Sequence, residues 1–355
     1  MALIRGHGGE VYHLARKLGL DPREILDFSS NVSPFPPPQG LYELLIQHLP
    51  EIERLPEVDS FTLREALAQR FGGPPTRYFP SSGTTEWIFA LPQALKPSRV
   101  LVLAPTYADY EDAAQAAGVK VKALLAYEKE LFRLPLEKLA SEIRPGDLIF
   151  LCNPNNPTGT FWPRARLAKL LSSFPQAVFV VDESYLPFAA GEQESLLTLL
   201  PFPKNLVVLF SFSKIYRVPG LRLGFAAASG PLEEILSREE LPWAVNRLAQ
   251  IAGTFLLSCQ NYEEKVRTFL QEERPRLAQR LADLGLRVFP SQANFLLLRL
   301  PKGLSGKEIF EKLLRQGILI RVCGNFRGLG EDFLRIALRT PEENEKLLQA
   351  LARLL

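Results

Sequence analysis

Lys214 has the setting in this sequence that most suggests chemistry. It follows the apolar run 206–210, within Ser211-Phe212-Ser213-Lys214, and Arg222 follows it closely. A lysine withdrawn from water beside other cations loses its proton more readily, and the neutral amine can form a Schiff base with a carbonyl compound. A lone lysine after a strand is also a common phosphate contact, so its role depends on the polar residues that the fold brings to it.

Three more apolar runs have the same layout, a short strand-like segment followed by polar residues. These residues are Tyr107 after residues 99–103, Asn156 after residues 148–152, and Asp182 and Tyr185 after residues 177–181. Continuous apolar runs separated by helical segments predict a mainly parallel sheet covered on both faces. Ligands of open α/β sheets bind beyond the carboxyl ends of the strands, so we expect these residues to meet Lys214 at one site.

The residue types suit a pyridine cofactor that carries a phosphate. A buried Asp182 is costly unless it meets a cation, and the protonated ring nitrogen of pyridoxal phosphate (PLP) is such a cation. Asn156 and Tyr185 can donate hydrogen bonds to the phenolic oxygen of the ring, and Tyr107 offers a flat face. Residues 81–86 precede a predicted helix, whose first N–H groups can bind a phosphate.

Four segments, in this order, resemble the fold-type-I PLP-dependent enzymes of the aspartate aminotransferase superfamily, class I/II. They are Asn156-Pro157-Thr158-Gly159, Asp182-Glu183-Ser184-Tyr185, Ser211-Phe212-Ser213-Lys214 and Pro219-Gly220-Leu221-Arg222-Leu223-Gly224. The resemblance implies an α/β fold in which a large domain, with a mainly parallel central sheet flanked by helices, is joined to a smaller α+β domain. It implies PLP as the cofactor and no metal.

The resemblance also implies a role for each matching residue. The catalytic residues would be Lys214, which carries the cofactor, Asp182, which binds the pyridine nitrogen, and Tyr185, which binds the phenolic oxygen. The remaining cofactor contacts would be Asn156 at the phenolic oxygen, Tyr107 at the ring face, and Gly83, Thr84, Ser211, Ser213 and Arg222 at the phosphate.

The two ends of the chain resemble a narrower group, the L-threonine O-3-phosphate decarboxylases of cobalamin biosynthesis, which are related to histidinol-phosphate aminotransferases. The matching segments are residues 7–9, 26–34, 242–246, 318–326 and 333–337. The implied substrate contacts are Arg335 and Asn31 at the α-carboxylate, Asn156 beside them, and His7 and Arg321 at the phosphate, with Asn325 as a further candidate. The expected reaction releases CO2 and forms (R)-1-amino-2-propanol O-2-phosphate.

Other functions remain open on the same residues. An aminotransferase that acts on histidinol phosphate with 2-oxoglutarate would use the same cofactor contacts and break the Cα–H bond instead. A PLP-fold regulatory protein without turnover is a third reading. His7 could be a mobile terminal residue, Arg321 half of an ion pair and Asn31 a turn residue. Trp243 and Phe326 are predicted to lie in the core.

One segment departs from the family pattern. Relatives carry Tyr-Pro-Asp or Tyr-Pro-Glu there, and the tyrosine reaches the PLP phosphate of the neighbouring subunit, whereas this chain has Arg54-Leu55-Pro56-Glu57. Loss of one phosphate hydrogen bond weakens cofactor binding by about 1 kcal/mol. The resemblance still implies a homodimer.

The elements that must position these residues predict a discontinuous two-domain chain. Residues 46–235 would form the large PLP-binding domain, residues 1–45 an N-terminal segment that joins the small domain, and residues 236–355 the C-terminal small domain. Residues 262–284 predict a long amphipathic helix, which Pro275 should kink or interrupt.

Composition excludes several classes of protein. The 355 residues carry 42 Lys and Arg against 39 Asp and Glu, and a net charge of +3 argues against a nucleic-acid binder. The apolar runs are shorter than the roughly 20 residues of a membrane-spanning helix, and no secretory signal is visible. The three cysteines and three histidines show no zinc-binding spacing. We therefore expect a cytoplasmic enzyme that binds a phosphorylated amino acid and neither membranes nor nucleic acid.

Overall fold

The structure, a computed structural model, describes residues 8–133 and 136–355. Its strands are β1 Leu26–Asp27, β2 Tyr78–Ser81, β3 Arg99–Ala104, β4 Val121–Leu125, β5 Asp147–Cys152, β6 Val178–Asp182, β7 Leu206–Ser211, β8 Gly224–Ala227, β9 Arg287–Val288, β10 Phe295–Arg299, β11 Ile318–Leu319, β12 Arg321–Val322 and β13 Phe333–Ala337. Its α-helices are α1 Val11–Leu18, α2 Leu41–Gln47, α3 Phe61–Phe71, α4 Thr85–Leu95, α5 Asp109–Ala116, α6 Leu136–Ala140, α7 Arg164–Ser173, α8 Leu186–Ala189, α9 Phe212–Ile215, α10 Pro231–Glu239, α11 Arg247–Leu257, α12 Gln260–Asp283, α13 Gly306–Leu314 and α14 Pro341–Ala352.

The central sheet has the strand order β2-β8-β7-β6-β5-β3-β4. The pairs from β4 to β7 are parallel, and β8 and β2 are added antiparallel at one side. The four apolar runs singled out in the sequence are β3, β5, β6 and β7, so the predicted mainly parallel sheet is confirmed. The register pairs Cys152 with Asp182, and Asp182 with Leu209. Asn156, Asp182 and Lys214 therefore lie at or just beyond the same edge of the sheet.

A smaller antiparallel sheet, ordered β12-β13-β10-β9, lies in the last third of the chain. Its strand β13 pairs Arg335 with Leu297 on one side and with Arg321 on the other. The N-terminal strand β1 pairs in parallel with β11, which places residues 26–31 beside these strands. The proposed division into residues 1–45, 46–235 and 236–355 stays a prediction.

Helix α12 continues through Pro275, so an interruption at this residue is wrong, and the alternative, a kink, stays a prediction. Leu270 and Leu277, on either side of the proline, are both fully buried. Proline in a helix costs about 3 kcal/mol because one hydrogen bond is lost and the ring meets the preceding turn. Burial of two leucine side chains offsets a cost of that size, at about 1.5–3 kcal/mol each.

Trp243 is 48% exposed, so its assignment to the core is wrong, whereas Phe326 is buried as predicted. Trp243 lies in the loop between α10 and α11, with a backbone φ of +57°. Its backbone N–H donates a hydrogen bond to the Val58 carbonyl. Val58 is exposed as well. Within the described ranges, no helix is both long and apolar enough to cross a membrane.

Candidate active site

Lys214 lies at the junction of two cavities. It is the third residue of α9, which starts directly after β7, and its carbonyl accepts a hydrogen bond from the Ser33 N–H at 2.8 Å. An outer cavity of about 610 Å³ and an inner cavity of about 90 Å³ are both lined by Lys214, Tyr107, Asn156 and Tyr185. The lysine can therefore contact a group in either space.

The surroundings of Lys214 favour its neutral form. Burial lowers the pKa of Lys214 to about 8, and the positive charges of Arg335 and Arg222 act in the same direction. The negative charges of Asp182 and Asp109 raise the pKa of Lys214, but by less than burial and the two arginines lower it. A substantial fraction of the amine is thus unprotonated near neutral pH, which is the state that attacks a carbonyl carbon.

Asp182 ends β6 and is buried at the inner cavity. Its Oδ2 atom accepts a hydrogen bond from the Tyr110 hydroxyl at 2.8 Å, and its Oδ1 atom accepts one from the Ser184 N–H at 2.9 Å. Neither donor is a cation, so the group can still pair with a cation placed in the cavity. Sequence reasoning missed Tyr110, although it lies only three residues after Tyr107, and the two rings are in contact with centres 5.6 Å apart.

The loops after β3 and β5 are joined by Asn155, another residue that sequence reasoning missed. Its Nδ2 atom donates to the Pro105 carbonyl at 2.8 Å, and its Oδ1 atom accepts from the Thr106 hydroxyl at 2.7 Å. These bonds fix Tyr107 relative to Asn156. A signal was available in the sequence, because Asn155 directly precedes Asn156 in the polar stretch that follows residues 148–152.

The far end of the inner cavity is suited to an anion. Gly83 has a φ of +87°, and a Cβ atom at this position would lie 2.4 Å from Nη2 of Arg222. Thr84 precedes the first turn of α4, and Ser211 and Ser213 are buried nearby. The Ser213 hydroxyl has no hydrogen-bond partner among the residues that the structure describes. A guanidinium, hydroxyls and a helix start thus surround one small space, which is how proteins bind phosphate groups.

Arg335 projects from β13 into the outer cavity and is only 5% exposed. Its Nη1 atom donates to Oδ1 of Asn156 at 2.5 Å, its Nη2 atom donates to the Ser29 carbonyl at 2.6 Å, and its Nε atom has no partner within the described part of the chain. Both acceptors are neutral, so its charge is available to an anionic ligand. Because the Oδ1 atom of Asn156 accepts this hydrogen bond, its Nδ2 group can still donate a hydrogen bond to another group.

Asn31 lies across this cavity from the central sheet. Its Nδ2 atom donates to the Tyr185 hydroxyl at 3.2 Å, and its buried Oδ1 atom lacks a partner within residues 8–133 and 136–355. Burial raises the pKa of Tyr185 to about 12, so the hydroxyl keeps its proton. Asn31 is therefore part of the cavity wall, as expected for a ligand contact rather than for an exposed turn.

Arg321 lines the outer cavity on the side of the C-terminal sheet. Its Nη2 atom donates to Oδ1 of Asn325 at 2.6 Å, and its guanidinium carbon lies 5.4 Å from the centre of the Phe326 ring. Burial, followed by the charge of Arg335, lowers the pKa of Arg321 to about 10. Phe326 is thus a core residue that also lines the cavity. His7, assigned with Arg321 to the substrate phosphate, lies outside the described residues.

The structure brings the sequence-predicted residues together in two groups. The inner cavity is lined by every residue assigned to the cofactor: Gly83, Thr84, Tyr107, Asn156, Asp182, Tyr185, Ser211, Ser213, Lys214 and Arg222. The outer cavity is lined by the described residues assigned to the substrate: Asn31, Asn156, Arg321 and Arg335. Their individual roles stay predictions. The arrangement can hold a flat, phosphate-bearing ring on one side of Lys214 and an amine that carries anionic groups on the other.

Comparison with known proteins gives a consistent result. Residues 23–351 match the sequence family described as aminotransferase class I and II. The threonine-phosphate decarboxylase of Salmonella typhimurium is 35% identical, over 100% of this chain and 98% of its own length. The histidinol-phosphate aminotransferase of Methanosarcina mazei is 33% identical, over 97% of this chain and 92% of its own. The crystal structure of the L-threonine-O-3-phosphate decarboxylase of Porphyromonas gingivalis has a TM-score of 0.83 at 32% identity, over 92% of this chain and 98% of its own.

Proposed function

The chain belongs to the class I and II aminotransferase family of PLP-dependent enzymes, and on that premise we propose that it decarboxylates L-threonine O-3-phosphate to (R)-1-amino-2-propanol O-2-phosphate, a step of cobalamin biosynthesis. The observation that carries the proposal is the pair of arginines in the outer cavity. Arg335 and Arg321 line the same space as Lys214. Within the described residues, the side chains that accept their hydrogen bonds are the neutral amides of Asn156 and Asn325. Such a cavity suits an amine that bears both a carboxylate and a phosphate.

The inner cavity fits PLP on three observations. Ser213 offers a buried hydroxyl without a partner in the described ranges, Gly83 leaves room that a side chain would take from Arg222, and Asp182 offers a buried carboxylate. The proposed contacts are Asp182 with the ring nitrogen, Asn156 and Tyr185 with the phenolic oxygen, Tyr107 with the ring face, Lys214 with the carbonyl carbon, and Gly83, Thr84, Ser211, Ser213 and Arg222 with the phosphate. When bound, PLP withdraws electrons from the bonds at the substrate Cα.

Covalent attachment of PLP to the cofactor-free protein is expected to accelerate as the pH rises through about 8. Only the neutral amine of Lys214 attacks the carbonyl, and its pKa of about 8 sets where that form becomes the major one. Stopped-flow absorbance between about pH 6.5 and 9 measures the rate. A rate that keeps rising with the slope of a lysine at its ordinary 10.5 would contradict the lowered pKa.

In the proposed reaction, the protein selects the bond that breaks by orientation. Only the Cα bond held perpendicular to the conjugated ring is aligned with its electrons, and the side chains decide which bond that is. Arg335 would bind the carboxylate with its planar guanidinium, Asn31 would hold it from the other side, and Arg321 would hold the phosphate. Lys214 would then return a proton to Cα, since its amine lines both cavities.

A transamination between histidinol phosphate and 2-oxoglutarate is the second candidate, favoured by the similarity to the Methanosarcina mazei aminotransferase. The same cofactor contacts would serve it. Arg335 would bind a carboxylate of the keto acid or of glutamate, and Lys214 would take the proton from Cα instead of only returning one.

Substrate assays separate the two candidates. We expect the purified, PLP-loaded protein to release CO2 from L-threonine O-3-phosphate with no keto acid present, at a kcat/KM at least about 100-fold above that for histidinol phosphate with 2-oxoglutarate. Glutamate formation from histidinol phosphate, without CO2 release from threonine phosphate, would reject the decarboxylase and support the aminotransferase.

We also propose that the enzyme is a homodimer. Most of its large exposed hydrophobic side chains belong to two segments, residues 42–61 and 241–243, which are joined by the hydrogen bond from the Trp243 backbone N–H to the Val58 carbonyl. We call these side chains the apolar face: Tyr42, Ile46, Leu49, Ile52, Leu55, Val58, Phe61, Leu241 and Trp243. Leu55, where relatives carry the intersubunit tyrosine, is 75% exposed. An exposed apolar group of this extent usually marks a protein interface. The exposure of Trp243, which contradicted its prediction as core, is explained if a second copy covers it.

The double substitution Ile46→Asp, Ile52→Asp is expected to raise the dimer dissociation constant by about 30-fold or more, since two charges would be buried at the interface. Light scattering coupled to size exclusion checks the mass against twice 39.9 kDa. Leu200→Asp is the matched control, because Leu200 is equally exposed and lies outside the apolar face. A wild-type monomer at micromolar concentration would contradict the proposal.

A further inference from the structure

Tyr110 is a fully buried residue at the inner cavity that the proposed chemistry has not used. Its ring stacks on Phe150 with centres 4.9 Å apart and an angle of 9°, and it meets Tyr107 edge-on at 5.6 Å. Two aromatic contacts therefore fix the direction of its hydroxyl. That hydroxyl donates to Oδ2 of Asp182 at 2.8 Å.

The surroundings keep the hydroxyl of Tyr110 protonated. Burial and the neighbouring Asp182 carboxylate hold the pKa of Tyr110 well above its ordinary value. The thiol of Cys152, which also lies beside Asp182, stays neutral because burial raises its pKa. The titratable groups that face Asp182 from the surrounding elements are Tyr107 before α5, Tyr110 of α5, Cys152 of β5, Glu183 and Tyr185 after β6, and Lys214 of α9.

We propose that Tyr110 is a positioning residue for Asp182. Its hydroxyl fixes the Asp182 carboxylate and stabilises the negative charge of that group, so that the proton shared between the carboxylate and the cofactor stays on the ring nitrogen. The Ser184 N–H holds the other carboxylate oxygen at 2.9 Å, so the two donors together define the plane of the group. Hydrogen bonds to a carboxylate favour its ionised form. Without the hydroxyl, the carboxylate would hold the shared proton more strongly, and the ring would lose part of its positive charge. This inference rests on the proposed contact of Asp182 with the ring nitrogen and not on which Cα bond breaks.

The test is Tyr110→Phe, which removes the hydroxyl and keeps both ring contacts. We expect the pH midpoint of the visible absorbance change of the PLP-loaded protein to rise by about one unit, because a positive ring nitrogen disfavours a second charge on the nitrogen of Lys214. We expect kcat to fall about tenfold while KM stays within about twofold, since the hydroxyl does not reach the outer cavity.

Tyr78→Phe is the matched control. Tyr78 is also fully buried, and its hydroxyl donates to the Gly72 carbonyl at 2.5 Å, outside both cavities. This variant should lose comparable thermal stability and keep the wild-type midpoint. Replacement of Tyr110 with 3-fluorotyrosine, whose hydroxyl is a stronger hydrogen-bond donor of nearly the same shape, should lower the pH midpoint. This replacement tests the role of the Tyr110 hydroxyl if Tyr110→Phe does not fold.

A wild-type midpoint in Tyr110→Phe, or an equal shift in Tyr78→Phe, overturns the proposal. Asp182→Asn separates this failure from that of the cofactor contact: if it leaves the midpoint unchanged, Asp182 does not act on the ring nitrogen and the inference falls with it. The pH midpoint of the absorbance does not depend on whether the wild-type enzyme decarboxylates or transaminates. Failure of the proposed reaction would therefore appear in the substrate assays and not in this measurement.

Discussion

Replacement of Lys214 with alanine is expected to lower the turnover of the PLP-supplemented protein by about 10³-fold or more. The substitution removes the amine that is proposed to bind the cofactor covalently and to move the Cα proton, and general acid–base catalysis alone contributes about 10²–10⁴-fold. Burial and the neighbouring arginines lower the pKa of Lys214 to about 8, which favours the neutral amine that this chemistry needs. Single-turnover kinetics and mass spectrometry after hydride reduction measure the two losses separately.

The control for this substitution is Lys346→Ala, which removes an exposed lysine on α14. It should retain the wild-type turnover and a single reducible cofactor adduct. Lys214→Arg keeps a positive charge in the cavity and should be as inactive as Lys214→Ala, because guanidinium is neither a nucleophile nor a proton donor near neutral pH. Retention of more than about a tenth of the turnover in Lys214→Ala would show that another group does the chemistry.

Replacement of Arg335 with lysine is expected to lower kcat/KM for L-threonine O-3-phosphate by about 30-fold or more. The buried guanidinium binds Asn156 and Ser29 and leaves its charge to the ligand, and loss of one partner in a buried charge pair costs about 2–5 kcal/mol. Lysine keeps the charge and loses the planar, two-point geometry. Because that geometry also orients the Cα bonds, Arg335→Lys should exchange the Cα proton with solvent more often for each CO2 that it releases.

Two measurements define this experiment: CO2 release, and deuterium exchange at Cα followed by NMR. Arg287→Lys is the control, an exposed arginine of the same small sheet that lines neither active-site cavity. An Arg335→Lys enzyme with wild-type kcat/KM and an unchanged ratio of exchange to CO2 would remove Arg335 from the proposed substrate contacts.

Much of the cofactor cavity could be predicted from the sequence because parallel strands bring consecutive loops to one edge. Tyr107, Asn156, Asp182 and Lys214 each follow a continuous apolar run, and the register of the strands places them together. The predicted α/β fold, family and cofactor are confirmed. Local pattern and strand direction were sufficient to place these residues together, whereas the family was identified from the resemblance of four motifs.

Contacts between distant segments could not be predicted in this way. Arg335 and Asn156 are 179 positions apart, and the bond between them depends on how the two sheets pack. Tyr110 donates to Asp182 across 72 positions, although its sequence suggests only a helix face. Trp243 was assigned to the core from its size, but it is exposed in a loop, and the residue type alone does not distinguish the two environments.

The choice between decarboxylation and transamination also lies beyond residue types. The relatives with either name match this chain to a similar extent, at 35% and 33% identity. The same proposed lysine, aspartate and arginine would serve both reactions, and the bond that breaks would depend on a small rotation of the bound substrate. Only measurement of the products decides between them.

The most direct test of the proposed function is to supply the PLP-loaded enzyme with L-threonine O-3-phosphate labelled with ¹³C in its carboxyl group, in the absence of any keto acid. We predict that labelled CO2 and (R)-1-amino-2-propanol O-2-phosphate accumulate in equal amounts over many turnovers. Retention of the label in a carboxylate product, with turnover that stops unless 2-oxoglutarate is added, would contradict the account and identify an aminotransferase.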